Sequence, residues 1–166
     1  AEFFQRRHVG HVRIALLAGD GDELELAGFH LALLRQVRVG EGAVAAEVME
    51  VFSQHGVRHA LISIGGDVSA LGDGNGQPWV VGMRDPYGGV LGSVELGDHE
   101  AFFSSGSYNK FRQATGGGRW GHILDPRSGM PARGAAATAV LSNDPVLADA
   151  ASTALMAAGP AGFENV

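Results

Sequence analysis

The sequence predicts an α+β fold, one domain over residues 1–166 in which helices pack on a mainly antiparallel sheet. Three observations carry that prediction. Apolar residues recur at helical spacing near 24–37, 43–56 and 145–159. Short β-branched runs fill the middle of the chain between glycine-rich breaks. These runs follow one another too closely for regular βαβ units, whose crossovers take a dozen or more residues. At 166 residues, 45% hydrophobic and 18% charged, the chain can bury a core of its own.

Taken in order, VRIALLAG (12–19) reads as a strand running into the turn GDGD, and ELAGFHLALLRQVR (24–37) as a helix. AVAAEVMEVFSQHG is a second helix, with Val44, Val48, Val51 and Phe52 on one stripe and Gly56 as a left-handed stop. HALISIG (59–65) has the length and branching of a strand and leads into GGD, then into the turn-rich LGDGNGQPW. WVVGMRDP, GVLGSVEL and EAFFSSG, separated by glycines, predict antiparallel hairpins or a meander. RWGHILDPRSGMP, with two prolines, reads as loop, and AATAVLSND as a strand. PVLADAASTALMAAG (145–159) is a helix whose start is marked by Asn143 or Asp144 as N-cap and Pro145 in the first turn.

Composition narrows the function. The net charge is -6 and the twelve basic residues are scattered, which argues against a nucleic-acid groove. Without cysteine there are no disulfides, thiolate metal sites or cysteine nucleophiles, so any metal must sit on oxygen or histidine. No apolar run approaches the roughly 18 residues of a membrane span, and the polar start AEFFQRRH lacks a secretory apolar stretch, so the chain reads as soluble. The 26 glycines exceed the usual share of about 7%. Each loses backbone entropy on folding, so several must serve turns or close approaches.

Four constellations could carry chemistry. Asp149 and Thr153, at i and i+4, place two oxygens on one face of a helix otherwise rich in Ala, Leu, Val and Met. Either Asp149 lies in solvent at the positive end of its helix while Thr153 bonds back to a carbonyl, or the pair binds a hard cation such as Mg²⁺ or Ca²⁺. Gly65, Gly66 and Asp67 end an apolar strand, as a plain turn or as a place where a ligand reaches the backbone. His122 and Asp125 lie three apart in GHILDPRSGMP, as structural residues or as an imidazole and a carboxylate held towards one cleft. Ser105 and Gly106 in SSGSY suit either a turn or a phosphate wrapped by backbone N–H groups. No GxxxxGK[ST] loop is present, nor GxGxxG in a βαβ frame, and the lone lysine, Lys110, reads as a solvated surface charge.

In order and spacing, ALISIGGDVSALG, PWVVGMRDP, SSGSY, HILDPRSGMP and ADAASTALMAAG resemble the ApbE family, the bacterial FAD:protein FMN transferases. The resemblance covers roughly residues 40–160. It implies binding of FAD with Mg²⁺, cleavage of the pyrophosphate, and transfer of FMN to a threonine (sometimes serine) hydroxyl of a partner flavoprotein with release of AMP. By the same resemblance Asp149 and Thr153 hold the metal, Gly65, Gly66 and Asp67 bind the flavin nucleotide, and Ser105 with Gly106 forms its Ser-Gly turn. His122 matches a histidine needed for activity, with Asp125 beside it; the resemblance implies that both join Ser105 and Gly106 in binding FAD, and that His122 and Asp149 form the catalytic set.

The match departs in VGEGAVAAEV (39–48), where Glu41, Ala43 and Ala46 stand for the family's lysine, tyrosine and aspartate. Glu41 thereby reverses a charge beside a pyrophosphate, a repulsion of about 1 kcal/mol or more. Relative to the family the N-terminal part looks reduced and the fold shortened. Two alternatives therefore accompany active transfer: an impaired or non-catalytic flavin-binding protein, and an FAD pyrophosphatase that gives FMN and AMP. The resemblance further implies an acceptor in a membrane redox complex and a site of action outside the cytoplasm.

Overall fold

Alternate residues of the strand Ala60–Ile64 are fully buried, and those between them are only half covered. That alternation fixes which way the sheet faces. The structure, a computed structural model, describes residues 8–9, 12–15 and 40–166. Its elements are β1 (His8–Val9), β2 (Val12–Ala15), α1 (Glu41–Gln54), β3 (Ala60–Ile64), β4 (Asp67–Leu71), β5 (Trp79–Arg84) and β6 (Val90–Leu96). They continue as β7 (Ala101–Gly106), β8 (Phe111–Gln113), β9 (Arg119–Gly121), β10 (Leu124–Asp125), β11 (Met130–Pro131), β12 (Ala137–Ser142), α2 (Pro145–Ala158) and a closing 3-10 segment (Pro160–Asn165). The helix expected at 24–37 and the end of the strand expected at 12–19 lie outside the described residues.

One sheet runs in the order β1-β2-β3-β4-β7-β12, antiparallel at every step. Ile62 opposes Ser69, Ile64 opposes Asp67, and Ser69 opposes Ala101. Opposed residues share a face. Ala60, Ile62, Ile64, Leu71, Ala101 and Phe103 therefore gather on one side, where they pack with Ala45, Met49 and Phe52 of α1 and Ala148 of α2. Val68, Ala70 and Phe102 point the other way, onto Trp79 and Leu96 of the β5–β6 hairpin. β4 is buried at all five positions because both of its faces are covered.

The expected α+β architecture is the one observed, but the stretch read as loop, RWGHILDPRSGMP, carries the short strands β9, β10 and β11. α1 starts at Glu41 and turns Ala45, Met49 and Phe52 innermost, while Val44 and Val48 only flank the core. Alanine at the contact lets the helix lie close to the sheet, which the spacing of the larger residues does not show. Of the two candidate caps of α2, Asp144 does the work: its Oδ1 accepts the N–H groups of Val146 at 2.9 Å and Leu147 at 3.1 Å.

The two helices meet at Gly42. A Cβ there would collide with the carbonyl oxygen of Pro145 and stand 2.8 Å from Cβ of Asp149. In an open helix Gly→Ala stabilises by up to about 1 kcal/mol. Here the sign reverses: Gly42→Ala is expected to destabilise by about 2 kcal/mol through overpacking, read as a lower urea midpoint at unchanged slope.

Candidate functional site

The β3–β4 connection is two residues long, Gly65 at φ 65 and Gly66 at φ 121. Positive φ at both positions suits the right-handed twist of an antiparallel pair and favours glycine. The turn delivers Asp67 to the first position of β4, facing the helices. Asp67 is 8% exposed. It accepts the backbone N–H of Ser104 at 2.7 Å, with the Ser104 hydroxyl at 3.4 Å. Burial pushes its carboxyl up from 3.8 to about 7. The Ser104 N–H pulls the other way, whereas the hydrogen bond and charge of Glu41 and the charge of Asp149 push it further up.

Glu41 begins α1, and the cap position before it is Gly40, which has no side chain to offer the helix N-terminus. Asp149 fills that role from another helix. Its Oδ2 accepts the Gly42 N–H at 2.9 Å, and a Cβ on Gly40 would stand 2.6 Å from the same oxygen. A carboxylate here meets unpaired N–H groups and the positive end of the helix dipole. Asp149 thus serves the N-terminus of α1, neither its own helix nor bulk solvent.

Thr153 does not bond back to its own helix in the bonds formed here; it joins a directed chain of hydroxyls. The Ser152 hydroxyl, 1% exposed as a residue, donates to the Asp149 carbonyl at 2.9 Å. Its proton being used, the 2.9 Å contact with Ser105 needs Ser105 as donor, and the 3.1 Å contact of Ser105 with Thr153 needs Thr153 as donor. Every hydroxyl proton then points inward, and the lone pairs of Thr153 are left outward. Thr138 of β12 anchors the chain by donating to the Ser152 carbonyl at 2.7 Å.

The structure thus brings Gly65, Gly66, Asp67, Ser105, Asp149 and Thr153 to the end of the sheet under the N-terminus of α1. Ser105 and Gly106 do not form the expected turn: both end β7 in register with Thr138 and Ala137 of β12, and a Cβ on Gly106 would stand 2.5 Å from the Tyr108 ring. His122 and Asp125 have other partners. The His122 Nδ1 lies 3.1 Å from the Lys110 carbonyl, which can only accept, so in the neutral imidazole Nδ1 carries the proton and Nε2 the lone pair. Asp125 is gripped by Arg127 through Nε at 2.8 Å and Nη2 at 3.2 Å, which holds its carboxyl below the usual range. The same Nη2 reaches the Ala157 carbonyl at 3.1 Å, tying the loop to the C-terminal end of α2.

The second carboxylate oxygen of Asp149 and the outward lone pairs of Thr153, one helical turn apart on α2, are both oxygen donors. That chemistry fits a hard cation. Among the described residues no three His, Asp or Glu side chains are arranged to hold a metal. A cation here would therefore complete its shell with water and ligand oxygens, the usual habit of Mg²⁺.

The model of the ApbE family matches residues 34–166. The chain belongs to the ApbE family. A FAD:protein FMN transferase of Rhodobacter capsulatus is 46% identical over 105 residues, which are 63% of this chain and 20% of that protein. One from Escherichia coli K12 is 32% identical over 127 residues, 74% of this chain and 36% of that one. Among solved structures, the ApbE protein of Thermotoga maritima superposes with a TM-score of 0.68 at 32% identity, covering 75% of this chain and 43% of that one. The apo flavinyl transferase ApbE of Pseudomonas stutzeri gives 0.59 at 33% identity, covering 72% and 37%. This ApbE chain spans less than half the length of each relative named.

Proposed function

We propose that this chain carries the catalytic centre of an FAD:protein FMN transferase, moving FMN from FAD to a threonine or serine hydroxyl of a partner flavoprotein and releasing AMP. The observation that carries it is the meeting of Asp149, the outward lone pairs of Thr153 and the Gly65–Gly66 turn at the α1 N-terminus. A carboxylate and a hydroxyl are oxygen ligands that suit a hard cation, and a cation held there would attract phosphate.

In this reading the Gly65–Gly66 backbone receives the dinucleotide at close range, and Asp149 and Thr153 would hold Mg²⁺, which supplies charge neutralisation on the pyrophosphate oxygens. The acceptor hydroxyl oxygen forms a bond to the FMN phosphorus, the bridging P–O bond breaks, and AMP leaves with that electron pair. The hydroxyl proton passes to a base, for which His122 Nε2 has the right tautomer. Asp125 acts on the loop through Arg127. The reading extends to an acceptor in a membrane redox complex and a site of action outside the cytoplasm, both carried over from the resemblance of the sequence motifs alone. No described helix is long and apolar enough to cross a membrane.

The test supplies FAD, Mg²⁺ and a threonine-bearing acceptor flavoprotein, then measures AMP and acid-stable flavin on the acceptor. Transfer predicts equal amounts of both, with AMP formation dependent on the acceptor. AMP and free FMN without acceptor would make the protein a pyrophosphatase. FAD binding without AMP would make it a flavin-binding protein.

A further inference from the structure

Glu41, half-buried at the start of α1, reaches over the β3–β4 turn. A Cβ on Gly65 would stand 2.6 Å from one carboxylate oxygen of Glu41 and 2.7 Å from the other, so the side face of Gly65 is occupied. Gly66, next along, has nothing within 4 Å of the same construction. The carboxyl that covers Gly65 is also hydrogen-bonded to Asp67. Two carboxyl groups bond to each other only when one holds a proton, and the buried Asp67 is the one whose environment favours it. Asp67 then donates to Glu41, and the Glu41 charge lies over the turn. The charged groups acting on Asp67 among the described residues are negative: Asp149 from α2 adds to Glu41 from α1, while β7 contributes the Ser104 N–H and hydroxyl.

We propose that Glu41 is a specificity-determining gate: hydrogen-bonded to Asp67 and laid over Gly65, it admits an anionic dinucleotide to the β3–β4 turn only when it swings away. The hinge is its own side chain, since Glu41 is the first residue of α1 and its backbone stays in the helix. The gate opposes a phosphate in two ways, by occupying the approach to Gly65 and by presenting a negative charge. This inference rests on the flavin reading above.

The experiment compares wild type with Glu41→Ala and Glu41→Gln, measuring FAD affinity in the presence of Mg²⁺ by flavin fluorescence. The Asp67 carboxyl is titrated by NMR in the ligand-free proteins. Glu41→Ala is expected to bind FAD on the order of tenfold more tightly, as loss of one close like charge allows. Its Asp67 is expected to titrate lower than in wild type. Glu41→Gln keeps the shape without the charge, so an equal gain assigns the gate to charge and a smaller one to cover. It also serves if the alanine variant fails to fold. Unchanged FAD affinity in both variants overturns the gate, and an unmoved Asp67 titration overturns the contact on which it stands. If Asp67 titrates lower in the variant yet neither it nor wild type binds FAD, the flavin reading falls and the gate for FAD with it.

Discussion

Asp149→Ala is expected to abolish measurable FMN transfer, a fall of a thousandfold or more, and to lower stability by about 1 kcal/mol. The two losses have different causes. In the proposed reading transfer fails because the cation site loses its carboxylate, and charge on the transferring phosphoryl would then not be neutralised. Stability falls because the Gly42 N–H and the positive end of α1 lose their partner, and removal of a capping side chain costs about 0.5–2 kcal/mol. Asp149→Asn separates them. An amide oxygen can still accept from Gly42, so this variant should keep most of the wild-type urea midpoint while losing transfer as fully as alanine does. Equal stability losses in both variants would show that the cap depends on charge and not on the hydrogen bond. Retained transfer in asparagine would remove the cation role.

Asp67→Asn is expected to raise stability at pH 8 by on the order of 2 kcal/mol, with the gain vanishing towards pH 4. The sign follows from the titration. The folded carboxyl titrates near 7 and the reference value is 3.8, so the folded state binds the proton more tightly. Wild-type folding is therefore penalised progressively as pH rises from about 4 to about 7, and the penalty is constant above that. Asparagine is neutral throughout. Its amide oxygen can accept from Ser104 and its NH₂ can donate to Glu41, so both contacts survive without the ionisation. Urea unfolding of both proteins at pH 5 and pH 8 checks this. A stability difference that does not change with pH would show that Asp67 is not held neutral by its surroundings.

Which parts of this were legible in the sequence depends on how far the partners lie apart in the chain. The hairpin of β5 and β6 and the tight turn at Gly65–Gly66 are local, and glycines punctuate them. The polar pair Asp149 and Thr153 stood out because their helix is otherwise apolar. Their partners did not, because they come from elsewhere: Gly42 is 107 positions from Asp149, and Ser105 is 48 from Thr153. Ser152 passed as one more small residue in an alanine-rich run, although its proton decides which way the hydroxyl chain points. Glu41 was visible as a charge reversal, but its contact with Asp67 exists only once β4 lies beneath α1. Arg127 gave no sign beyond standing two residues from Asp125. The one local signal for the trans cap was the pair of glycines flanking Glu41, which left the α1 N-terminus open to Asp149.

The proposed function depends on a cation bound by Asp149 and Thr153 beside the Gly65–Gly66 turn. Anomalous diffraction from crystals grown with Mn²⁺ and FAD tests it most directly. The predicted result is one strong peak at coordination distance, about 2.0–2.3 Å, from an Asp149 carboxylate oxygen and the Thr153 hydroxyl, with pyrophosphate oxygens completing the shell. Bound FAD with the metal elsewhere, or with no metal peak at these two residues, would contradict it.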